Sequence, residues 1–208
     1  MQAKAAYTQW APQYDSQINR TRDLEAVCLR QMLAGYRFEH CLEMGCGTGK
    51  NTSFLAEISQ TILAVDLTEA MLAKAKSKIN APNVTFMKAD MLEDWDFGST
   101  CFDLITFSLV LEHILELPPI FKKAANVLTK GGLLYLGELH PFKQYLGTKA
   151  RFETASGLTE VSCFTHHLSD FITSATDAGF ELSTIREFFD EGEDQKPPRI
   201  LGLLFKKI

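Results

Sequence analysis

The chain has 208 residues, 46% of them apolar and 23% charged, with a formal net charge of −5. That length fits one domain with a sizeable core, and the composition is that of a soluble globular protein. No apolar run reaches the roughly eighteen residues of a membrane helix, and the acidic balance argues against nucleic acid as a partner, which asks for a basic face.

Along the chain, Met1 to Tyr7 lacks the apolar centre of a secretion signal. Residues 15–34 are polar, with Leu24, Val27, Cys28, Leu29, Met32 and Leu33 at helical spacing, and Gly35 closes that helix. Strands are predicted over 40–45, 61–66, 83–89, 101–108 and 132–139, alternating with helices over 50–59, 69–80 and 117–129. Pro118 and Pro119 sit at a helix start, where a missing N–H costs little. The alternation implies a parallel sheet covered on both faces, and the strands read as the near-continuous apolar runs such a sheet needs. Beyond residue 140 the pattern turns irregular and aromatic, with Phe142, Tyr145, Phe152 and Phe164. Arg151–Thr154 and Thr159–Phe164 are expected to pair around Ala155-Ser156-Gly157. A helix over 168–178 follows, then closing strands over 180–189 and 199–207 around a charged loop. Cys28, Cys41, Cys46, Cys101 and Cys163 form no C-x-x-C pair. This odd, scattered set reads as free thiols in a reducing cytoplasm.

The most informative stretch runs from His40 to Lys50, where an apolar strand meets Gly45, Gly47 and Gly49. Glycines so spaced permit a sharp turn and close approach of a ligand to the backbone. The N–H groups opening the next helix point at the same spot. Gly49 comes one residue before the third glycine of the nicotinamide fingerprint, whose place Lys50 takes. Glu43 would also set negative charge beside a pyrophosphate; it suits a cationic ligand better.

Residues 43–49 resemble the first motif of the class I S-adenosylmethionine-dependent methyltransferases. The likeness continues in order through Val65-Asp66, Lys88-Ala89-Asp90-Met91, Phe107-Ser108 and the Gly131-Gly132 turn, covering about residues 40–140. Small-molecule enzymes of the type 11 and ubiquinone-biosynthesis kind are the nearest in pattern. The resemblance implies an α/β fold: a doubly wound, Rossmann-like, mostly parallel seven-stranded sheet with one antiparallel strand near the C-terminus. It implies a single domain over 1–208, divided into a helical lid (1–36), a cofactor-binding core (37–140), a substrate-side insertion (141–167) and a closing helix and strand pair (168–208). The implied cofactor is S-adenosyl-L-methionine, with S-adenosyl-L-homocysteine as product.

Residue by residue, the resemblance gives Glu43 the methionine part of that cofactor, and Gly45, Cys46, Gly47 and Gly49 the loop beneath it. Asp66, with Leu67, takes the ribose hydroxyls; Asp90 accepts from the adenine amino group and Met91 packs on the ring. Phe107 and Ser108 face the methionine end. Tyr7 to Asp15 resembles a Tyr/Trp-Ala-x-x-Tyr-Asp segment that folds over the cofactor, with Tyr14 as its contact. Plainer readings stand beside these: turn glycines, a core Met91, a docked N-terminal helix, and Asp66 as a helix cap, although Thr68 is the better cap.

Methyl transfer from a sulfonium is an in-line displacement that needs alignment and exclusion of water, and no metal is called for. His113 and His140 follow the fourth and fifth strands, on the carboxyl side where open α/β sheets bind ligands, and either imidazole can accept a proton. His166 and His167 precede a helix as pocket or cap residues. The expected partner is a small-molecule methyl acceptor, with neither membrane nor nucleic acid. A macromolecule methyltransferase and a non-catalytic cofactor-binding regulator are the alternatives. The Asp/Asn-Pro-Pro-Tyr/Phe run of nucleic-acid amino methyltransferases is replaced here by Ser108-Leu109-Val110-Leu111.

Overall fold

The structure is a computed structural model that describes residues 1–98, 101–154, 157–193 and 195–208. Seven strands form one sheet: β1 (Phe38–Met44), β2 (Ser59–Asp66), β3 (Val84–Lys88), β4 (Phe102–Ser108), β5 (Leu128–Leu139), β8 (Phe180–Phe188) and β9 (Ile200–Lys207). Their spatial order is β3-β2-β1-β4-β5-β9-β8. The pairs among β1 to β5 are parallel, while β9 runs antiparallel to both β5 and β8. The sheet is thus mostly parallel with one reversed strand, as the motif order implied. The order in which strands are added reverses at β1, because β2 and β3 build outward on one side and β4 and β5 on the other. That switch point is where open α/β sheets leave a crevice.

Side chains alternate between the two faces along each strand. Leu42 and Met44, Ile105 and Phe107, Leu134 and Leu136 pack on one face. Helices α5 (Leu117–Val127) and α7 (Leu168–Asp177) cover it with Phe121, Ala124, Phe171 and Ala175. Cys41, Leu104 and Tyr135 point the other way. There α2 (Arg20–Met32), α3 (Thr52–Ile58) and α4 (Glu69–Lys78) supply Leu29, Leu55 and Leu72. Both faces are covered over the central strands β1, β4 and β5, which is why these read as almost unbroken apolar runs.

Several boundaries differ from expectation. The first long helix starts at Arg20, because the Asn19 side chain accepts from the Arg22 N–H at 3.1 Å and caps it there. Residues before it form α1 (Ala3–Trp10) and a single 3-10 turn, Ala11–Gln13. β5 begins at Leu128 rather than 132, directly after α5. The side hairpin pairs β6 (Arg151–Thr154) with β7 (Gly157–Glu160), so its second strand lies nearer the turn than predicted. The expected turn residues Ala155 and Ser156 lie outside the described residues, as does Asp194 of the charged loop. A short helix, α6 (Pro141–Tyr145), follows β5. No helix among the described residues is long and apolar enough to cross a membrane.

Candidate active site

A cavity of about 550 Å³ opens at the carboxyl ends of β1, β2 and β4, walled by α1 and the strand-end loops. The glycines between β1 and α3 each answer a separate constraint. Gly45 has φ +77°, and a β-carbon there would stand 2.7 Å from Val110 Cγ2. Gly49 has φ +83° and lies against Ala75 and Ile79 at the end of α4. Gly47 has φ +54° and open space where a side chain would project. Gly45 and Gly47 line the cavity; Cys46 is buried in the core and Gly49 packs away from it.

The strand-end acids belong to the same wall. Asp66 Oδ2 accepts from Gly47 N–H at 2.9 Å, and its Oδ1 from Thr68 N–H at 2.8 Å and Thr68 Oγ1 at 3.0 Å. Thr68, not Asp66, caps α4. Burial pushes the Asp66 carboxyl above its ordinary range, against those three hydrogen bonds. Leu67, Asp90 and Met91 also line the cavity, with Asp90 Oδ1 accepting from Leu92 N–H at 2.9 Å. Ser108 lines it, whereas Phe107 turns its ring into the core. Leu109 follows at φ +52°, and Glu138 Oε1 holds the turn by accepting from Val110 N–H at 3.2 Å and Leu111 N–H at 3.0 Å.

The N-terminal segment closes the remaining side. Tyr7 and Tyr14 line the cavity. Arg22 stacks its guanidinium 4.0 Å from the centre of the Tyr14 ring and donates to the Tyr14 carbonyl at 2.6 Å. Burial raises the Tyr14 phenol to about 12. Asp15 ties the segment to the glycine loop by accepting from Thr48 Oγ1 at 2.6 Å, and to α4 through Lys78 at 2.8 Å.

Residues 42–136 match the methyltransferase domain family. Over that segment, just under half of its length, the chain resembles the S-adenosylmethionine-dependent methyltransferases. It is 28% identical over 169 residues, 73% of its length, to a trans-aconitate 2-methyltransferase from Deinococcus radiodurans. It is 34% identical over 101 residues, 48% of its length, to an uncharacterized methyltransferase from Synechocystis. The matched segments span 64% and 46% of those two relatives. The N-methyltransferase NodS from Bradyrhizobium japonicum, solved with S-adenosylhomocysteine, shares the fold at a TM-score of 0.71 and 17% identity, over 97% of this chain and 98% of that one.

Against that family pattern the remaining candidates fall into two groups. His113 stands on the cavity wall, its Nε2 2.8 Å from the Tyr7 hydroxyl and its Nδ1 3.0 Å from the Ser162 carbonyl. Glu43 lies under the glycine loop instead, 4% exposed, accepting from Thr52 Oγ1 at 2.6 Å. His140 also lies off the cavity: its Nδ1 accepts from Phe142 N–H at 3.2 Å to cap α6, and its Nε2 meets Glu187 Oε1 at 3.0 Å. His166 Nε2 sits 2.8 Å from the Ile114 carbonyl, and His167 caps α7.

Glu112, His113 and Cys163 bring potential ligand atoms within 4.8 Å of one another. His113 Nδ1, which faces Cys163, is held by the Ser162 carbonyl, and Nε2, 3.9 Å from Glu112 Oε1, is held by the Tyr7 hydroxyl, so the arrangement is hydrogen-bonded as it stands. In the sequence Tyr7 stood behind Tyr14 in the lid segment, Glu138 stood beside His140 on one strand face, and Ser162 went unselected. The signal for Tyr7 was its place two helical turns before Tyr14.

Proposed function

We propose that this chain transfers a methyl group from S-adenosylmethionine to a small-molecule acceptor. The observation that carries the reading is the composition of the cavity wall. Asp66, bonded to the Gly47 N–H, and Asp90 both line the cavity, and among the described lining residues Lys4 is the one lysine or arginine. A phosphate-bearing ligand would find two acids and little positive charge; a sulfonium donor suits that field. The space beside Gly47, which a β-carbon would fill, supports the fit.

Gly45 and Gly47 would cradle the donor, Asp66 and Leu67 would meet its ribose, and Asp90 with Met91 its adenine. Glu43 acts beneath the loop, fixing the start of α3 through Thr52. The donor supplies an electrophilic methyl group with a neutral thioether as leaving group. The protein's share is to align the nucleophile and exclude water. Residues up to Asp15 act as the lid, because Tyr7 and Tyr14 close the cavity and Asp15 ties them to the glycine loop, whereas α2, within the expected 1–36 lid, belongs to the cover of the sheet. His113 is the imidazole placed to receive a proton; His140 has its nitrogens committed elsewhere.

A cavity of about 550 Å³ is in the size range of small-ligand sites, which supports a small acceptor, as does the name of the Deinococcus relative. The unpaired cysteines suit a reducing cytoplasm. Calorimetric titration with S-adenosylhomocysteine and with NAD tests the donor: micromolar binding of the first alone is expected, and binding of NAD alone would overturn the reading.

A further inference from the structure

We propose that the Tyr7 hydroxyl, backed by His113, takes the proton released by the acceptor, and that this acceptor is a neutral alcohol, phenol or amine on an apolar body. This deepens the methyl-transfer reading and rests on it.

The tautomer follows from the hydrogen bonds. A carbonyl can only accept, so the His113 Nδ1 that lies 3.0 Å from the Ser162 oxygen carries the ring proton. In the neutral ring Nε2 then holds a lone pair, to which the Tyr7 O–H donates from 2.8 Å, with Glu112 Oε1 3.9 Å from the same nitrogen. Having given its proton to that bond, the phenol oxygen keeps acceptor capacity on its remaining lone pairs. Both residues line the cavity, so an acceptor O–H or N–H can donate to Tyr7.

The phenol is held by more than its hydroxyl. Its ring stacks on Trp10 at 5.7 Å, Trp10 stacks on Phe152 at 5.1 Å, and the His113 ring meets Tyr7 edge-on at 5.3 Å. Burial, with Tyr14, Glu112, Cys163 and Asp66 nearby, holds the Tyr7 hydroxyl well above its ordinary range. Tyr7 therefore passes a proton on rather than resting as a phenolate.

The step balances. A lone pair on the acceptor oxygen or nitrogen forms the bond to the methyl carbon as the carbon–sulfur bond breaks, its electron pair remaining on sulfur. The acceptor proton moves to the Tyr7 oxygen, and the Tyr7 proton moves to His113 Nε2. The imidazolium so formed still donates from Nδ1 to Ser162, and later returns its extra proton to water. One positive charge leaves the sulfonium and one appears on the imidazole.

The wall around this pair sets the substrate class. Ala3, Ile114 and Phe164 present apolar surface beside Tyr7, and Lys4 alone offers positive charge among the described lining residues. An acceptor with several carboxylates would find at most one cation, whereas a neutral aromatic or aliphatic body fits the surface.

Separate measurements on the whole chain test the parts. Calorimetry with S-adenosylhomocysteine on the parent and on Tyr7→Phe tests the donor site; equal affinity within about threefold is expected, and absence of binding to the parent would overturn the methyl-transfer reading itself. Nitrogen-15 spectra of histidine-labelled protein, assigned with His113→Asn, test the pair. An unprotonated His113 Nε2 whose resonance moves in Tyr7→Phe is expected; a protonated Nε2 would overturn the relay. Label transfer from tritiated S-adenosylmethionine to catechol, 4-methylphenol, aniline and propane-1,2,3-tricarboxylate tests the acceptor. Methylation of the neutral phenols or amines is expected, with kcat down about 100-fold and KM little changed in Tyr7→Phe. Failure of all the phenol and amine probes, preference for the tricarboxylate, or a Tyr7→Phe kcat within twofold of the parent would overturn the proposal while leaving donor binding intact.

Discussion

The backbone N–H of Gly47 donates to Asp66 Oδ2 at 2.9 Å, so the glycine loop and the acid ending β2 form one unit. Asp66→Asn breaks it specifically. The asparagine oxygen stays with Thr68, which leaves an amide NH₂ facing the Gly47 donor. Hydrogen bonds to a charged group contribute roughly 1.5–3 kcal/mol, so affinity for S-adenosylhomocysteine should fall about 10- to 100-fold in a calorimetric titration. Unchanged affinity would remove Asp66 from the binding wall.

Gly45 and Gly47 separate stability from binding. Alanine at Gly45 meets a left-handed backbone, which costs about 1–2 kcal/mol, and an overlap with Val110 Cγ2 at 2.7 Å, which adds about 1–3 kcal/mol. Alanine at Gly47 has the backbone cost alone, since nothing stands within 4 Å. Urea denaturation should therefore show the larger loss for Gly45→Ala. Gly47→Ala should lose more affinity for S-adenosylhomocysteine than its stability loss accounts for. Equal stability losses would contradict the packing assigned to Gly45.

The strands, the glycine loop and the strand-end acids were legible because their signals are local: apolar runs, tight glycine spacing, Asp66 closing β2 and Asp90 just after β3. The lid was only half legible. Tyr7 meets His113 across a separation of 106 residues, and Trp10 finds Phe152 on a hairpin; no local periodicity encodes either contact. His113 and His140 looked alike as residues following strands. Pro141 distinguishes them, since proline at the first helical position makes His140 a cap and turns its ring to the Phe142 N–H. Glu43 was read through the charge of the ligand, while Thr52, the residue that binds its carboxylate, stands at the start of the next helix.

Glu43 sets a pH dependence of stability. Burial, joined by repulsion from Glu25 and Asp66 and opposed by the Thr52 hydroxyl, raises its carboxyl to about 8 from an unfolded value near 4.5. The folded state thus binds the proton more tightly than the unfolded one, and stability falls as pH rises from about 4.5 to about 8. Glu43→Gln retains an oxygen for Thr52 and removes the ionisation. Its melting temperature should match the parent near pH 4.5 and exceed it increasingly towards pH 8. A constant offset across that range would show that Glu43 does not titrate between those limits.

His140 supplies the contrast to His113. His140 Nδ1 accepts from the Phe142 N–H, and the other ring nitrogen faces Glu187, so alanine here removes a helix cap and one partner of a half-exposed carboxylate. Loss of a cap costs about 1 kcal/mol, and the partly exposed pair adds little. His140→Ala should lower chemical stability by about that amount. Its affinity for S-adenosylhomocysteine should stay within about twofold of the parent, because neither the ring nor α6 borders the cavity. A tenfold drop in affinity with unchanged stability would reverse the assignment: it would mean that His140 reaches the donor and that its hydrogen bond to Phe142 is incidental.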